Sequence, residues 1–192
     1  MPDWRQNRMS TIKSSTITAL CMSLCAVLPY AFHAIPNAGS IFCPIHIPIL
    51  LCGIICGWRY GLLCGLVGPL LSSQLSGMPS PALLPAMMVE CCAYGVIAGL
   101  GMKFIHTKST YTDLYVSLIT AMLTGRILAG LFRGFIFSRG AFMITTWVTG
   151  YFVTSIPGII TQIVLLPTIV FALMRARLIS ERYPAARKEL ER

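Results

Sequence analysis

The chain has 192 residues, of which 56% are hydrophobic and only 11% charged, and a formal net charge of +9. A water-soluble domain carries about 25% charged residues, so water cannot wet this surface all round. The charges are also bunched: Asp, Glu, Lys and Arg are missing from 14–58, 60–89 and 141–174. Each gap exceeds the ~20 apolar residues that a helix needs to cross a bilayer. The composition sets aside a soluble globular domain and specifies an integral membrane protein.

In chain order, a tail over 1–14 precedes a first helix over 15–33. This run is longer than the ~7–15 residues of a secretory signal core, and Tyr30-Ala-Phe-His-Ala34 offers no clean cleavage site. It therefore reads as a retained span. Near its start, Ala19-x-x-x-Ser23 has the small-xxx-small spacing that lets membrane helices approach closely. That motif is a candidate docking surface for another membrane protein.

The stretch Ile41-Phe-Cys-Pro-Ile-His-Ile-Pro-Ile-Leu-Leu-Cys-Gly53 follows. Pro44 and Pro48 suit a helix start, where a missing N–H is tolerated. His46 then opens a short helix over 45–56, which crosses upright only if it begins in an ordered loop. Cys43 and His46 are metal-ligand types, and with His33 they would suit a metal permease. A zinc site wants about four ligands, and no second matched pair is present. No metal and no cofactor is expected. Seven of the eight cysteines fall inside apolar runs, where cysteine acts as a small hydrophobe.

A third helix over 60–75 ends in Ser72, Ser73 and Gln74, and Gly57, Gly61, Gly65 and Gly68 recur along its first half as packing positions. A fourth over 82–102 carries Glu90 and, one turn on, Tyr94; a fifth over 114–132 carries Arg126. Arg133 ends the fifth, seven residues beyond Arg126 and thus on nearly the same face. A sixth helix over 145–174 carries Gln162, and a basic tail over 175–192 closes the chain. Six spans put both termini on one side. Twelve basic residues (Arg5, Arg8, Lys13, Arg59, Lys103, Lys108, Arg175, Arg177, Arg182, Arg187, Lys188 and Arg192) lie on that side, against Arg133 and Arg139 on the other. By the positive-inside rule both termini are cytoplasmic. The outer connections after residues 33, 76 and 132 are apolar, aromatic or turn-rich, which suits lids over a pocket.

An ionisable residue in a span costs about 2.5–3.5 kcal/mol on insertion scales, so it needs a partner or a role. Glu90 and Arg126 sit at matching depth, about 9–12 Å below the outer interface. They form either an internal ion pair joining two helices or part of a ligand site. His46, Gln74, Tyr94 and Gln162 are further polar groups in or near the outer half. Apolar walls with a few convergent polar groups describe a small-molecule pocket.

Several stretches resemble the S components of energy-coupling factor (ECF) transporters, and more narrowly the pantothenate branch. They are Ile35-Pro-Asn-Ala-Gly-Ser-Ile-Phe-Cys-Pro-Ile-His-Ile-Pro-Ile-Leu-Leu-Cys-Gly53, Gly68-Pro-Leu-Leu-Ser-Ser-Gln-Leu-Ser-Gly-Met-Pro79, Glu90, Gly125-Arg126 and Ser155-Ile-Pro-Gly158. The resemblance implies an all-α, six-helix membrane bundle with an outward pocket capped by outer loops. It implies a substrate-binding subunit without catalysis of its own. Its partners would be a transmembrane T component, docked on Ala19 and Ser23, and two cytoplasmic ATPases. Serine stands here where that motif has its second alanine. A carboxylate vitamin would meet Arg126 or Arg133, with His46, Gln74, Glu90, Tyr94, Asn37 and Gln162 as further contacts. If Glu90 faced the ligand unpaired, a pyridoxine-like or hydroxymethylpyrimidine compound would fit better. A membrane-embedded lipid or prenyl enzyme is the competing class. It would need clustered acids at the cytoplasmic interface, where only Asp113 stands.

Overall fold

The computed structural model describes residues 9–31, 38–136 and 144–179. Every regular element among them is helical: α1 (Thr11–Ala31), α2 (Ala38–Phe42), α3 (His46–Cys56), α4 (Trp58–Ser76), α5 (Leu84–Phe104), α6 (Thr110–Ile136), α7 (Ile144–Val148), a π-helical turn (Thr149–Val153) and α8 (Ile156–Arg175). The ends follow local chemistry. Ser10 caps α1 by accepting the Lys13 N–H at 3.3 Å. Gly57 separates α3 from α4 at φ 91°, a left-handed conformation that suits glycine.

α3 is the central element. It packs against α1, α4, α5 and α8, while α5 lies between α4 and α6. The buried core is correspondingly built around Ile49, Leu50 and Cys52 of α3, Cys64 of α4, Cys91 and Tyr94 of α5, and Leu114, Leu118 and Ala121 of α6. The opposite faces stay apolar and exposed: Leu20 and Val27 on α1, Leu123, Ile127 and Leu131 on α6, Ile160 and Val164 on α8. A bundle that is apolar outside as well as inside is suited to lipid.

Among the described residues, five segments are long and apolar enough to cross a membrane: Thr11–Ala31, Gly39–Cys56, Leu84–Phe104, Thr110–Gly134 and Ile156–Arg175. The second joins α2 to α3, so the short helix expected over 45–56 does gain its length from an ordered preceding turn. The remaining expected span is α4, which has 19 residues but carries Arg59 near one end and Ser72, Ser73, Gln74 and Ser76 at the other.

One expectation is overturned. The continuous helix over 145–174 is broken into α7, the π-helical turn and α8. The Thr154 N–H reaches back five residues to the Thr149 carbonyl at 2.8 Å, closing the wider turn. Pro157, with no N–H to continue the preceding ladder, then fits the first turn of α8.

The glycines hold α3, α4 and α5 together by near backbone contact. A methyl group at Gly53 would lie 2.5 Å from the Gly95 carbonyl oxygen, and one at Gly65 would lie 2.5 Å from the Cys91 carbonyl oxygen. Methyls at Gly61 and Gly95 would each collide with the other's backbone. These obstacles are main chain, which cannot swing aside. Gly61→Ala and Gly95→Ala should therefore each destabilise the protein by about 1–3 kcal/mol or more. Thermal unfolding in detergent measures this, with Gly150→Ala as the silent control, because nothing lies within 4 Å of that position.

Candidate functional site

The site is assembled from four elements around one guanidinium. α5 carries Glu90 and Tyr94 one turn apart on its buried face, beside Ala86, Cys91, Gly95 and Ala98. α6 carries Arg126 next to Gly125, where a side chain would collide with the Tyr94 ring. Glycine at 125 therefore lets α6 close onto Tyr94, and that approach brings Arg126 within reach of the phenol. The Tyr94 hydroxyl donates to Glu90 Oε1 at 2.7 Å and accepts from Arg126 Nε at 3.1 Å. The two charges, read from the sequence as either an internal ion pair or part of a ligand site, are linked through the Tyr94 hydroxyl.

The far side of Arg126 belongs to the broken last helix. Arg126 Nη1 donates to Ser155 Oγ at 2.5 Å, and Ser155 Oγ donates to the Tyr151 carbonyl at 2.6 Å. The Phe152 ring lies 5.8 Å from the guanidinium carbon, within range for a cation–π contact. Trp147 meets Phe152 edge-on with ring centroids 5.5 Å apart. Trp147, Tyr151 and Phe152 were not singled out from the sequence, and Ser155 entered only as the first residue of the Ser155-Ile-Pro-Gly158 stretch, with no role assigned. The available signal was arithmetic: a guanidinium has five N–H donors, far more than Glu90 alone can satisfy.

His46, the first residue of α3, is 2% exposed and sets its ring edge-on against Tyr94 with centroids 4.8 Å apart. It is enclosed, not at an open mouth. The turn before it is sharp, with Cys43 at φ 47°, and Cys43 Sγ donates to the Ser40 carbonyl at 3.4 Å. Among the described residues no group of three or more His, Cys, Asp or Glu is placed to hold a metal ion. Gln162 is fully buried on α8. It lies seven residues after Ser155, on nearly the same helical face.

Two expected residues are placed elsewhere. Gln74 is exposed, turned away from the buried face of α4 that carries Ser72 and Ser76. A difference of two positions is about 200° of helical rotation, so the neighbouring serines turn inward when the glutamine turns out. Ser72 and Ser73 donate to the carbonyls of Met78 at 2.5 Å and Pro79 at 2.8 Å. This ties the start of the expected lid over 77–85 to α4, and Tyr30 of α1 donates to the neighbouring Leu75 carbonyl. Arg133 is exposed on α6, with its side chain in hydrogen-bonding reach of Tyr151. Asn37, His33 and Arg139 lie outside the described residues. Asp113 is buried in the first turn of α6 and accepts from Thr107 N at 2.8 Å and Thr107 Oγ1 at 2.7 Å, a turn-fixing role.

Several enclosed polar atoms have no hydrogen-bond partner among the described residues: both ring nitrogens of His46, Nη2 of Arg126, both side-chain amide atoms of Gln162, and Nε1 of Trp147. An unsatisfied buried donor or acceptor costs about 1–3 kcal/mol, more when charged. Such atoms are uncommon in native structures, where ordered water, an ion or a ligand commonly meets them. The chemistry on offer is recognition by hydrogen bonds and charge. The Tyr94 relay is the part already complete, so it can be tested alone. Tyr94→Phe leaves the ring packing in place and removes both bonds of the hydroxyl. It should lower stability by about 1.5–3 kcal/mol, as for hydrogen bonds to charged groups, read from thermal unfolding in detergent.

The comparison with protein families gives a match over most of the chain. The family described as ECF transporter, substrate-specific component covers residues 13–170, from the first turn of α1 to the last third of α8. Among curated proteins nothing matches. The family match and the all-helical, multi-span fold agree. They describe a multi-pass membrane subunit that takes part in transport, and the family implies a small-molecule substrate together with T-component and ATPase partners. The chain belongs to the substrate-specific components of ECF transporters.

Proposed function

We propose that this subunit binds a small water-soluble vitamin carrying a carboxylate, pantothenate being the best fit, in a pocket that opens to the outside beneath the outer loops. The observation that carries this reading is Arg126. It is 2% exposed, its Nε and Nη1 are occupied by neutral hydroxyl oxygens, and its Nη2 has no partner among the described residues. A guanidinium so placed favours an anion, since charge-assisted N–H···O contacts are about twice as strong as neutral ones. Glu90 is held by Tyr94, which removes the reason to expect a cationic or pyridoxine-like vitamin. His46 and Gln162, with unpaired donors and acceptors among the described residues, would meet hydroxyl and amide groups of the substrate, and Arg133 and Asn37 are kept as further substrate-binding candidates.

Six passages with both termini cytoplasmic complete the scheme, α4 being the least apolar passage. Its support is the alternation of helices α3 to α6 and the basic residues bunched in the tails and in the connections after residues 56 and 102. ATP hydrolysis falls to two partner ATPases beneath a T component. The T component would dock on α1, where Ala19 and Ser23 are both exposed on one stripe.

Thermal stability of the purified chain across a panel of vitamins tests the substrate. A ligand at 100 times its dissociation constant adds about 2.7 kcal/mol. Pantothenate should raise the melting temperature, and Arg126→Gln should abolish that rise. A rise with pyridoxine and none with pantothenate would replace the carboxylate reading. Docking is tested separately. Ala19→Leu with Ser23→Leu should reduce co-purification of the T component and leave vitamin binding by the isolated chain intact.

A further inference from the structure

We infer that the indole N–H of Trp147 is a second substrate donor, which acts with Arg126 Nη2 to grip the carboxylate and so sets the preference for an acid over its neutral analogues. The inference rests on the carboxylate reading of Arg126 and adds a residue that neither the family match nor the sequence motifs mark.

Four observations converge on Trp147. Its Nε1 is enclosed and has no hydrogen-bond partner among the described residues. An indole N–H is a donor only, so nothing but an acceptor can satisfy it. Its position is set by Gly130 on α6, where any Cβ would collide with the indole nitrogen. Gly130 is one helical turn from Arg126, about 6 Å along the axis. The two donors are also linked through Phe152, which takes the Trp147 ring edge-on at 5.5 Å and faces the Arg126 guanidinium at 5.8 Å.

The local backbone explains how a tryptophan comes to point there. Trp147 precedes the π-helical turn Thr149–Val153, which shifts the register of everything after it. Ser155 thereby meets Arg126 Nη1, while Trp147 remains on the α6 side at Gly130. Arg126 Nη2 from α6 and the indole Nε1 from α7, packed at Gly130, are thus unmet donors one helical turn apart along α6. A carboxylate has two oxygens and about four lone-pair sites, and so accepts from both.

Pantothenate and panthenol, which carries a primary alcohol in place of the carboxylate, separate the possibilities. The wild-type chain should bind pantothenate more tightly, by calorimetry in detergent. Trp147→Phe keeps an aromatic ring against Gly130 and Phe152 but loses the donor. It should weaken pantothenate by about tenfold or more and panthenol, whose hydroxyl is a weaker neutral acceptor, by less, so that the ratio narrows. An unchanged ratio in a folded Trp147→Phe protein overturns the inference and leaves the vitamin reading standing. Failure of the wild type to bind pantothenate overturns both. A readout independent of the variant is the set of indole 15N–1H resonances of the wild-type protein. One should move downfield with pantothenate and not with panthenol, and no such movement sinks the proposal.

Discussion

A guanidinium enclosed by helices is the constraint around which this bundle is organised. Arg126 is among the largest fully enclosed side chains of the molecule, and its charge cannot be left bare, because breaking a buried charged partnership costs about 3–5 kcal/mol. The protein spreads that demand over three elements. α5 supplies Tyr94 and, behind it, Glu90; the turn before α8 supplies Ser155; the π-helical turn supplies the face of Phe152. None of these partners lies on α6 itself. The positions of α5 and α8 relative to α6 are therefore tied to one charge, and any displacement of either exposes an unsatisfied donor.

Close approach makes those contacts possible. Gly125 admits the Tyr94 ring and Gly130 admits the Trp147 indole, while Gly53, Gly61, Gly65 and Gly95 bring the α3, α4 and α5 backbones together. Lipid tails are as apolar as leucine, so a membrane bundle gains little from hiding hydrophobic surface and depends on tight packing and hydrogen bonds. Small residues serve both needs here. They place the helices within van der Waals contact, and they leave room for a phenol and an indole to reach positions that a larger neighbour would fill.

How much of this could be read from the sequence depends on the kind of residue. Glu90 and Arg126 were legible because a charge inside an apolar run is costly and rare. Tyr94 was legible as a neighbour of Glu90, though not as the bridge, since helical spacing fixes a face and not the course of a hydroxyl. The last helix was misjudged for a nameable reason. Its hydropathy is continuous, and the break lies in hydrogen bonding, at Thr149 to Thr154 and at Pro157. Ser155 was marked only as part of the Ser155-Ile-Pro-Gly158 resemblance; its contact with Arg126, and Trp147 altogether, stayed hidden because neutral hydroxyl and aromatic residues are ordinary in spans. Gln74 shows the opposite error: the polar run at the end of α4 was correctly located, but two positions of rotation decide which side chain faces in, and the serines do.

The completed relay and the unfilled donors divide the site into a scaffold and a reader. Tyr94 uses its hydroxyl on Glu90 and Arg126, and Ser155 uses its own on Arg126 and the Tyr151 carbonyl, so these two fix the guanidinium and have little left for a substrate. His46, Gln162, Trp147 Nε1 and Arg126 Nη2 have capacity in hand. A site of that second kind rejects a ligand that lacks the matching group far more strongly than an apolar wall can, by factors of about 10⁴–10⁵ against 10–200 for a methylene. The reason is that the enclosed polar atoms are then left unpaired. A subunit whose task is to choose one solute among many gains selectivity from such atoms at some expense of its own stability. On the proposed reading, the relay fixes Arg126 and leaves these unmet hydrogen bonds available to a substrate.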